Sequence, residues 1–204
     1  MTDVTNNALE FYFDFSSPYG YLAAERIDEL AAKYGRKVKW RPVLLGVIFK
    51  STGAAPLTMV PMKGEYSKMD FVRSARFMGI PYNPPSRFPL PTQVAARAYY
   101  WLHERDCGMA RAFAKASYRA LFVDDRDISD PEVVLEMAAK VGADRAAVAA
   151  GVETPEIKDR LKAEVAAAIE KGVFGSPFIV CDGEAFFGAD RLPQLEARLS
   201  GKEF

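Results

Sequence analysis

The stretch Phe11-Tyr-Phe-Asp-Phe-Ser-Ser-Pro-Tyr-Gly-Tyr-Leu22 decides how the first part of this chain folds. From Leu9 to Phe15 aromatic residues alternate with polar ones, a pattern that predicts a strand. Ser17 then offers an oxygen to the free amides of a helix. Pro18 suits the first helical turn, because the amide it lacks has no partner there. The stretch therefore predicts a strand, a tight turn and a helix that begins beside Ser17.

A β-α-β unit extends outward from this stretch. Apolar residues at helical spacing carry the helix to Tyr34, and Gly35 is a typical residue for a helix end. A second strand is predicted over residues 37–45, followed by a loop over residues 49–61 that is rich in Gly, Pro and small side chains. This order favours two parallel strands joined by a right-handed crossover.

The middle of the chain is predicted to be mostly helical. Asp130-Pro131 and Thr154-Pro155 each combine a capping side chain with a proline in the first turn, and Thr92 offers a similar cap. Gly79 is expected to end one helix, before a proline-rich connection over residues 80–91. The expected helices cover residues 66–78, 92–101, 109–122, 131–141, 144–150 and 155–171.

The chain is predicted to end in a β-β-α unit. Residues 178–181 and 184–187 predict two short strands, and the Asp182-Gly183 pair between them is a strong hairpin signal. Asp190 is expected to cap a final helix with leucines on one face.

This order of elements predicts an α/β, thioredoxin-like fold interrupted by a large all-helical insertion. The expected division is a discontinuous thioredoxin-like domain of residues 1–60 and 172–204 and a helical insertion domain of residues 61–171. Periodicity alone leaves other topologies open.

Composition argues against several classes of function. The 27 basic and 27 acidic residues balance and do not cluster, which disfavours a nucleic-acid surface or a basic membrane anchor. No apolar run reaches the length of a membrane span, and residues 1–7 lack the features of a signal peptide, so a cytoplasmic location is expected. Cys107, Cys181 and the single histidine, His103, fit no metal spacing, and we expect two reduced thiols and a packing histidine.

Three short motifs carry chemistry. Ser17 at a helix N-terminus would stabilise a thiolate through the free amides and its own hydroxyl, although Ser-Pro is also an ordinary helix start. A cis bond before Pro177 would leave the N–H and C=O of Ser176 free to pair with an extended peptide, although most such bonds are trans. Asp190 would bind an ammonium group, or it is a simple helix cap beside the surface charge of Arg191.

In combination these motifs resemble a known family. Thioredoxin-like oxidoreductases carry a Cys-x-x-Cys pair where this chain has Ser17-Pro-Tyr-Gly20, so a thiol has to come from outside the protein. The chain resembles the kappa-class glutathione transferase and 2-hydroxychromene-2-carboxylate isomerase family, in the DsbA-like branch of the thioredoxin superfamily. The matching segments are Phe13-Asp-Phe-Ser-Ser-Pro-Tyr19, Arg41-Pro-Val-Leu-Leu-Gly46, Phe49-Lys-Ser-Thr-Gly53, Phe174-Gly-Ser-Pro177 and Phe187-Gly-Ala-Asp-Arg-Leu192.

The resemblance implies that glutathione is the cofactor. It implies that Ser17 is the catalytic residue that holds the sulfur and that the backbone of Ser176 pairs with the cysteinyl part. It also implies a homodimer that acts on a small aromatic carboxylate. The implied cofactor-binding residues are Ser17, Tyr19, Ser176, Pro177, Ala189, Asp190 and Arg191, of which Ala189 and Asp190 bind the γ-glutamyl end.

The substrate carboxylate needs a cation near the sulfur. Lys50 is the first candidate because it follows the second predicted strand, and Lys63 and Arg87 are weaker candidates. The chain departs from the family at Ala54, where members often have an Asn that contacts the ligand. It also departs at Ser176, where many have Val or Leu and a backbone contact tolerates the change.

Apolar side chains of the insertion are candidates for a pocket wall over the glutathione, although such residues are more often core. These side chains are Met59, Met62, Phe71, Phe77 and Met78.

The main functional hypothesis is a glutathione-dependent isomerase of the type that converts 2-hydroxychromene-2-carboxylate to trans-o-hydroxybenzylidenepyruvate. In the isomerase branch of the family, a thiolate adds to the unsaturated hemiketal, the ring opens, a bond rotates and glutathione leaves. The alternatives are a kappa-class transferase that conjugates electrophiles and a thioredoxin-fold binding protein without turnover. A disulfide oxidoreductase is disfavoured, because dithiol exchange needs an attacking and a resolving thiol.

Overall fold

A four-stranded mixed sheet lies at the centre of the computed structural model, which describes residues 8–202. The strands are β1 (Ala8–Phe13), β2 (Lys37–Pro42), β3 (Phe178–Cys181) and β4 (Glu184–Phe187), in the spatial order β2-β1-β3-β4. β1 and β2 are parallel, whereas β3 runs antiparallel to both β1 and β4. The α/β class and the parallel first pair are as predicted, and strands from both ends of the chain meet in one sheet.

The crossover between β1 and β2 contains two helices rather than the single helix that was predicted. α1 (Pro18–Ala24) and α2 (Ile27–Lys33) are separated by a tight turn in which the amide of Arg26 bonds to the carbonyl of Ala23. The guanidinium of Arg26 donates to the Met78 carbonyl at 2.6 Å, which ties this break to the helical middle of the chain. Gly35 follows α2 with a positive φ of 66°, as expected of a helix end.

A short helix replaces the predicted end of the second strand and part of the predicted loop. β2 ends at Pro42, and α3 (Leu45–Thr52) follows until Gly53, whose φ is 74°. The local sequence hides this helix because Leu44, at the capping position, has no side-chain acceptor. The carboxylate of Asp14 accepts the Leu45 amide at 2.7 Å instead, from 31 positions away. Lys50 therefore lies on a helix and not on a loop.

The helical middle follows the prediction closely. Asp130 and Thr154 cap their helices through side-chain oxygens, as expected. Thr92 also precedes its helix, but its hydroxyl donates to Asp14 at 3.0 Å and caps nothing. The helices are α4 (Lys63–Met78), α5 (Gln93–His103), α6 (Cys107–Phe122), α7 (Pro131–Lys140), α8 (Arg145–Gly151) and α9 (Pro155–Glu170).

The C-terminal unit confirms the hairpin and corrects the start of the last helix. Asp182 and Gly183 both have positive φ, as a two-residue hairpin turn requires. The last helix, α10 (Leu192–Leu199), begins one residue later than expected, with Arg191 at its capping position. Asp190 does not cap it, because residues 189–191 form a tight 3-10 turn that is closed by a 3.2 Å bond from the Arg191 amide to the carbonyl of Gly188.

Aromatic packing joins the helical middle to the sheet. Phe13 contacts Trp40 on β2 and the rings of Tyr99 on α5 and Tyr118 on α6, with centroid distances of 5.3, 6.0 and 5.7 Å. All four side chains are buried.

The division into a discontinuous domain and an insertion domain stays a prediction. Within residues 8–202 no helix is long and apolar enough to span a bilayer. Residues 1–7, for which no signal peptide was predicted, lie outside the described part of the chain.

The cysteines and the histidine are placed as predicted. Cys107 is exposed, Cys181 is buried, and both are free thiols. Burial raises the pKa of Cys181 to about 11, so this thiol is protonated at neutral pH. His103 packs on the ring of Tyr99 at a centroid distance of 5.8 Å.

Candidate active site

A cavity of about 2190 Å³ opens where β1 ends, between the sheet and helices α3 and α4. Ser17, Ser176 and Asp190 all line it, so three distant parts of the chain meet there as the motifs predicted. A pocket for one drug-sized ligand measures roughly 300–1,000 Å³. This cavity therefore has room for a tripeptide and a second small molecule together.

Ser17 lies at the N-terminus of α1, as predicted, and only 6% of its surface is exposed. Its Oγ accepts the Gly20 amide at 3.0 Å and donates to the Ser176 carbonyl at 2.9 Å. A side chain at position 20 would disturb this arrangement, because a Cβ there would lie 2.7 Å from both the Ser176 Oγ and the Tyr118 Oη. The Ser17 hydroxyl is thus held between α1 and the loop before β3.

The peptide bond between Ser176 and Pro177 is cis, as predicted. The expectation that both backbone groups of Ser176 are free is wrong for the carbonyl, because the Ser17 hydroxyl occupies one of its two lone pairs. No group in the described part of the chain accepts the Ser176 amide proton. This amide, at the cavity wall, is open to a ligand.

The turn of residues 188–191 lies next to the cis proline. The Gly188 amide donates to the Pro177 carbonyl at 3.0 Å, which fixes the turn against the loop that carries Ser176. Asp190 lines the cavity with 73% of its side chain exposed, and the nearest guanidinium nitrogen of Arg191 is 3.7 Å from its carboxylate. Ala189 is buried. The turn therefore presents an accessible carboxylate and a cation side by side.

Tyr19 lines the cavity, but its hydroxyl is hydrogen-bonded to another wall residue, Asp70. The hydroxyl donates to Asp70 of α4 at 2.5 Å, and the ring packs edge-on against Phe71 at 4.9 Å. Burial raises the pKa of Tyr19, and the neighbouring Asp70 carboxylate raises it further. Tyr19 therefore stays protonated at neutral pH and links α1 to α4, an additional role that sequence reasoning missed.

Lys50 is the predicted cation that the structure brings to the cavity. It is exposed, lines the wall, and has no acidic partner among residues 8–202. Lys63 and Arg87 do not line the cavity, and Arg87 is paired with Asp127 at 2.6 Å. Lys50 is therefore available to a carboxylate ligand.

The apolar wall differs in part from the prediction. Phe71, Phe77 and Met78 line the cavity, whereas Met59 and Met62 do not and are exposed. The largest omission is α3, which the sequence did not reveal. The cavity wall also includes Leu44, Val47, Leu57, Phe88 and Pro91, which were not predicted to line it.

Asp14 is the main site residue that sequence reasoning missed, although it lies inside the opening motif. Only 3% of its surface is exposed, yet it lies directly beneath Ser17 at the edge of the cavity. Burial raises the pKa of its carboxyl, against the lowering effect of hydrogen bonds from Ser16, Leu45 and Thr92. A carboxylate within the aromatic run of residues 11–15 was the available signal.

Both cysteines of the chain, Cys107 and Cys181, lie outside the cavity wall. The site therefore combines a serine at a helix N-terminus with a free backbone amide and a free cation, but its described wall contains no thiol. A thiol that reacts there has to arrive with a ligand.

Comparison with known proteins agrees with this geometry. The chain is 29% identical over 194 residues to a 2-hydroxychromene-2-carboxylate isomerase of Sphingobium xenophagum, covering 94% of this chain and 97% of that protein. It is 28% identical over 208 residues to glutathione S-transferase kappa 1 of Rattus norvegicus, covering 96% and 92%.

A solved structure of a selenomethionine 2-hydroxychromene-2-carboxylate isomerase superposes with a TM-score of 0.86 at 27% identity, covering 95% of each chain. The model of the DSBA-like thioredoxin domain matches residues 8–200, which confirms the predicted thioredoxin-like fold and the family resemblance. On this match over nearly its whole length, the chain belongs to the DSBA-like thioredoxin domain family.

Proposed function

We propose that the protein is a glutathione-dependent isomerase that converts 2-hydroxychromene-2-carboxylate or a similar aromatic carboxylate to its ring-opened trans isomer. The observation that carries the proposal is the cavity where Ser17 and Ser176 meet while both cysteines lie elsewhere. When bound, glutathione supplies a thiolate that adds to the substrate and later leaves. No net oxidation occurs in such a reaction, which suits a site without a dithiol.

The residues of the cavity fit a tripeptide with one free ammonium group. The unpaired amide of Ser176 is placed to donate to the cysteinyl carbonyl, in the manner of an added β-strand. The accessible carboxylate of Asp190 suits the γ-glutamyl ammonium, and Arg191 suits the adjacent carboxylate. The Pro177 carbonyl accepts the Gly188 amide and so holds the turn of Asp190 beside Ser176, and Ala189 and Tyr19 line the adjacent wall.

Ser17 stabilises a thiolate in two ways that differ in size. The first turn of α1 and its dipole favour an anion by about 0.3–1 kcal/mol. A hydroxyl that donates to a charged acceptor contributes about 1.5–3 kcal/mol, so the hydroxyl is the larger effect. In the structure this hydroxyl donates to the Ser176 carbonyl, and it has to rotate away from that oxygen to donate to the sulfur.

Lys50 provides the charge that orients the substrate. Its ammonium group is the predicted cation that lines the cavity without an acidic partner in the described residues, and apolar side chains such as Val47 and Phe88 line the same cavity. A cation at the end of an apolar wall selects a planar aromatic ring that carries a carboxylate. We therefore assign the substrate's ring to this wall and its carboxylate to Lys50.

A kappa-class glutathione transferase is the second candidate, favoured by the 28% identity to the rat enzyme over 96% of this chain. Both candidates use the same thiolate, and they differ in whether the adduct collapses or is released. A binding protein without turnover would retain glutathione and consume no substrate.

Two measurements test the proposal. Retention on immobilised glutathione separates the glutathione users from an unrelated binding protein. An ultraviolet assay of 2-hydroxychromene-2-carboxylate, with total glutathione measured before and after, separates the two enzymes. We expect complete isomerisation with glutathione unconsumed, whereas consumption of one glutathione per substrate would establish the transferase instead.

The homodimer that the resemblance implies and the cytoplasmic location expected from the sequence are also proposals. Light scattering at two protein concentrations checks the dimer. Fractionation of the cells that express the protein checks the location.

A further inference from the structure

The carboxylate of Asp14 links the segment that contains Ser17 to the start of α3. Its Oδ1 accepts the Ser16 amide at 2.8 Å, the Ser16 hydroxyl at 2.9 Å and the Thr92 hydroxyl at 3.0 Å. Its Oδ2 accepts the amide of Leu45 at 2.7 Å. Oδ1 is therefore held in place by three donors, whereas Oδ2 contacts a single donor at the start of α3.

The backbone hydrogen bonds of Asp14 fix this residue beside Ser17 and Ser176. Its amide donates to the Ser176 Oγ at 3.0 Å, and its carbonyl accepts the Ser17 amide at 2.9 Å and the Tyr118 hydroxyl at 3.0 Å. Asp14 thus cannot shift without moving both Ser17 and the loop before the cis proline.

α3 has few local contacts that fix its start apart from the bond to Asp14. Leu44 supplies no side-chain cap, and the first amides that bond within the helix are those of Val47 and Ile48, which share the Leu44 carbonyl. Ile48 is the one buried residue of α3 within the described part of the chain. A negative charge at the helix start also suits the helix dipole. The Asp14 carboxylate therefore takes the place of a local side-chain cap at the start of α3, although Asp14 is distant in sequence.

We propose that Asp14 is a positioning residue that holds α3, and with it Lys50, at a fixed distance from Ser17. The proposal rests on the proposed function, because it assigns the substrate carboxylate to Lys50. Asp14 touches neither the sulfur nor the substrate in this account. It acts through the Leu45 amide on the helix that carries the cation.

Asp14→Asn separates the two tasks of the carboxylate. When the new amide nitrogen faces the Leu45 amide, the remaining oxygen keeps its three donors and only the bond to α3 is lost. Thr92→Val is the matched control, because it removes one donor from Oδ1 and leaves the contact to α3 intact. Leu45→Pro removes the same bond from the other side, at a position where a helix accepts proline, and serves if Asp14→Asn fails to fold.

We expect Asp14→Asn and Leu45→Pro to raise the KM for 2-hydroxychromene-2-carboxylate about tenfold, as the loss of one bond to a charged group implies. The Kd for S-methylglutathione should change less than about twofold, and Thr92→Val should change neither value by more than that. In a Lys50→Met background, Asp14→Asn should raise the KM by less than about twofold, because Asp14 acts on the substrate only by positioning Lys50. Equal losses in KM and Kd, an equal effect of Thr92→Val, or full additivity with Lys50→Met would overturn the proposal.

A second readout separates this proposal from the proposed function. If the wild-type chain shows no glutathione-dependent turnover, the proposed function fails, and amide hydrogen exchange still decides the role of Asp14. Amides of residues 48–52 should then exchange about tenfold faster in Asp14→Asn, with those of α1 unchanged. Unchanged exchange in α3 would overturn the role of Asp14 by itself.

Discussion

At the scale of single residues, the site depends on hydrogen bonds whose partners are far apart in sequence. Ser17 bonds to Ser176 across 159 positions, and Asp14 bonds to Thr92 across 78. The sequence motifs predicted that Ser17 and Ser176 meet, because both belong to recognisable short patterns. Asp14 was missed because its four donors come partly from distant segments that no local pattern links to it.

The clearest residue-scale prediction concerns Ser17→Ala. Loss of the hydroxyl should raise the pKa of a bound glutathione thiol by about one unit, since one unit corresponds to about 1.4 kcal/mol. Turnover at pH 7 should fall about tenfold and recover as the pH is raised, because more of the thiol then ionises. Ultraviolet thiolate absorbance across a pH series measures the pKa directly.

Ser16→Ala is the matched control for this prediction, because the Ser16 hydroxyl donates to Asp14 and not to the loop of Ser176. It should leave the thiol pKa within about 0.3 units of the wild-type value. A thiol pKa that Ser17→Ala does not move would remove Ser17 from the mechanism.

At the scale of elements, helices with local start signals were predictable and the helix with a remote one was not. Asp130 and Thr154 precede the helices that they cap, so sequence reasoning located α7 and α9. α3 begins at Leu45, whose amide is satisfied by Asp14, and the same segment was predicted as strand and loop. The wrong prediction for α3 also placed Lys50 on a loop and omitted Val47 from the cavity wall.

The contact between α1 and α4 gives an element-scale prediction for Tyr19→Phe. The change removes a 2.5 Å hydrogen bond to Asp70 but keeps the ring against Phe71. We expect the free energy of unfolding to fall by about 1 kcal/mol and the Kd for glutathione to rise two- to fivefold as α4 loosens. Urea unfolding and calorimetric titration measure the two effects.

Tyr66→Phe provides the control at the same carboxylate. Tyr66 also donates to Asp70, but at 3.4 Å and from an exposed position, so its loss should change neither quantity. Equal effects of the two substitutions would show that α4 is not held by Tyr19.

At the scale of the whole molecule, an ion-pair cluster joins the last helix of the middle segment to the sheet. Lys171, directly after α9, pairs with Glu10 of β1, and Arg41 of β2 bonds to Glu10 at 3.1 Å and to Glu164 of α9 at 3.0 Å. Neither charge balance nor periodicity predicts this cluster, because it depends on the tertiary arrangement of three elements. It holds the helical middle against the strands on which the cavity is built.

The cluster predicts how stability depends on pH. Burial alone raises the pKa of Glu10, but the hydrogen bond from Lys171 and the charge of Arg41 outweigh burial and lower it overall. A carboxyl whose pKa is lower in the folded state stabilises the fold above its unfolded pKa, and this stabilisation is lost as the pH falls through the folded pKa. Glu10→Gln should therefore lower the free energy of unfolding by about 0.5–1 kcal/mol at pH 7, after allowance for solvent screening, and should change it little at pH 3.

Urea unfolding at both pH values checks this prediction, with Glu65→Gln as the control. Glu65 forms only an exposed pair with Lys68 on α4, so its loss should change stability at neither pH. A Glu10→Gln effect that is the same at pH 3 and pH 7 would contradict the assigned role of the cluster.

If the reacting thiol belongs to glutathione and not to the protein, turnover depends on glutathione. The rate of 2-hydroxychromene-2-carboxylate isomerisation is measured without glutathione, with glutathione well below the substrate concentration, and with S-methylglutathione, which has the same backbone but no thiol. We predict no turnover without glutathione, complete conversion with substoichiometric glutathione, and competitive inhibition by S-methylglutathione. Turnover in the absence of glutathione would contradict the account.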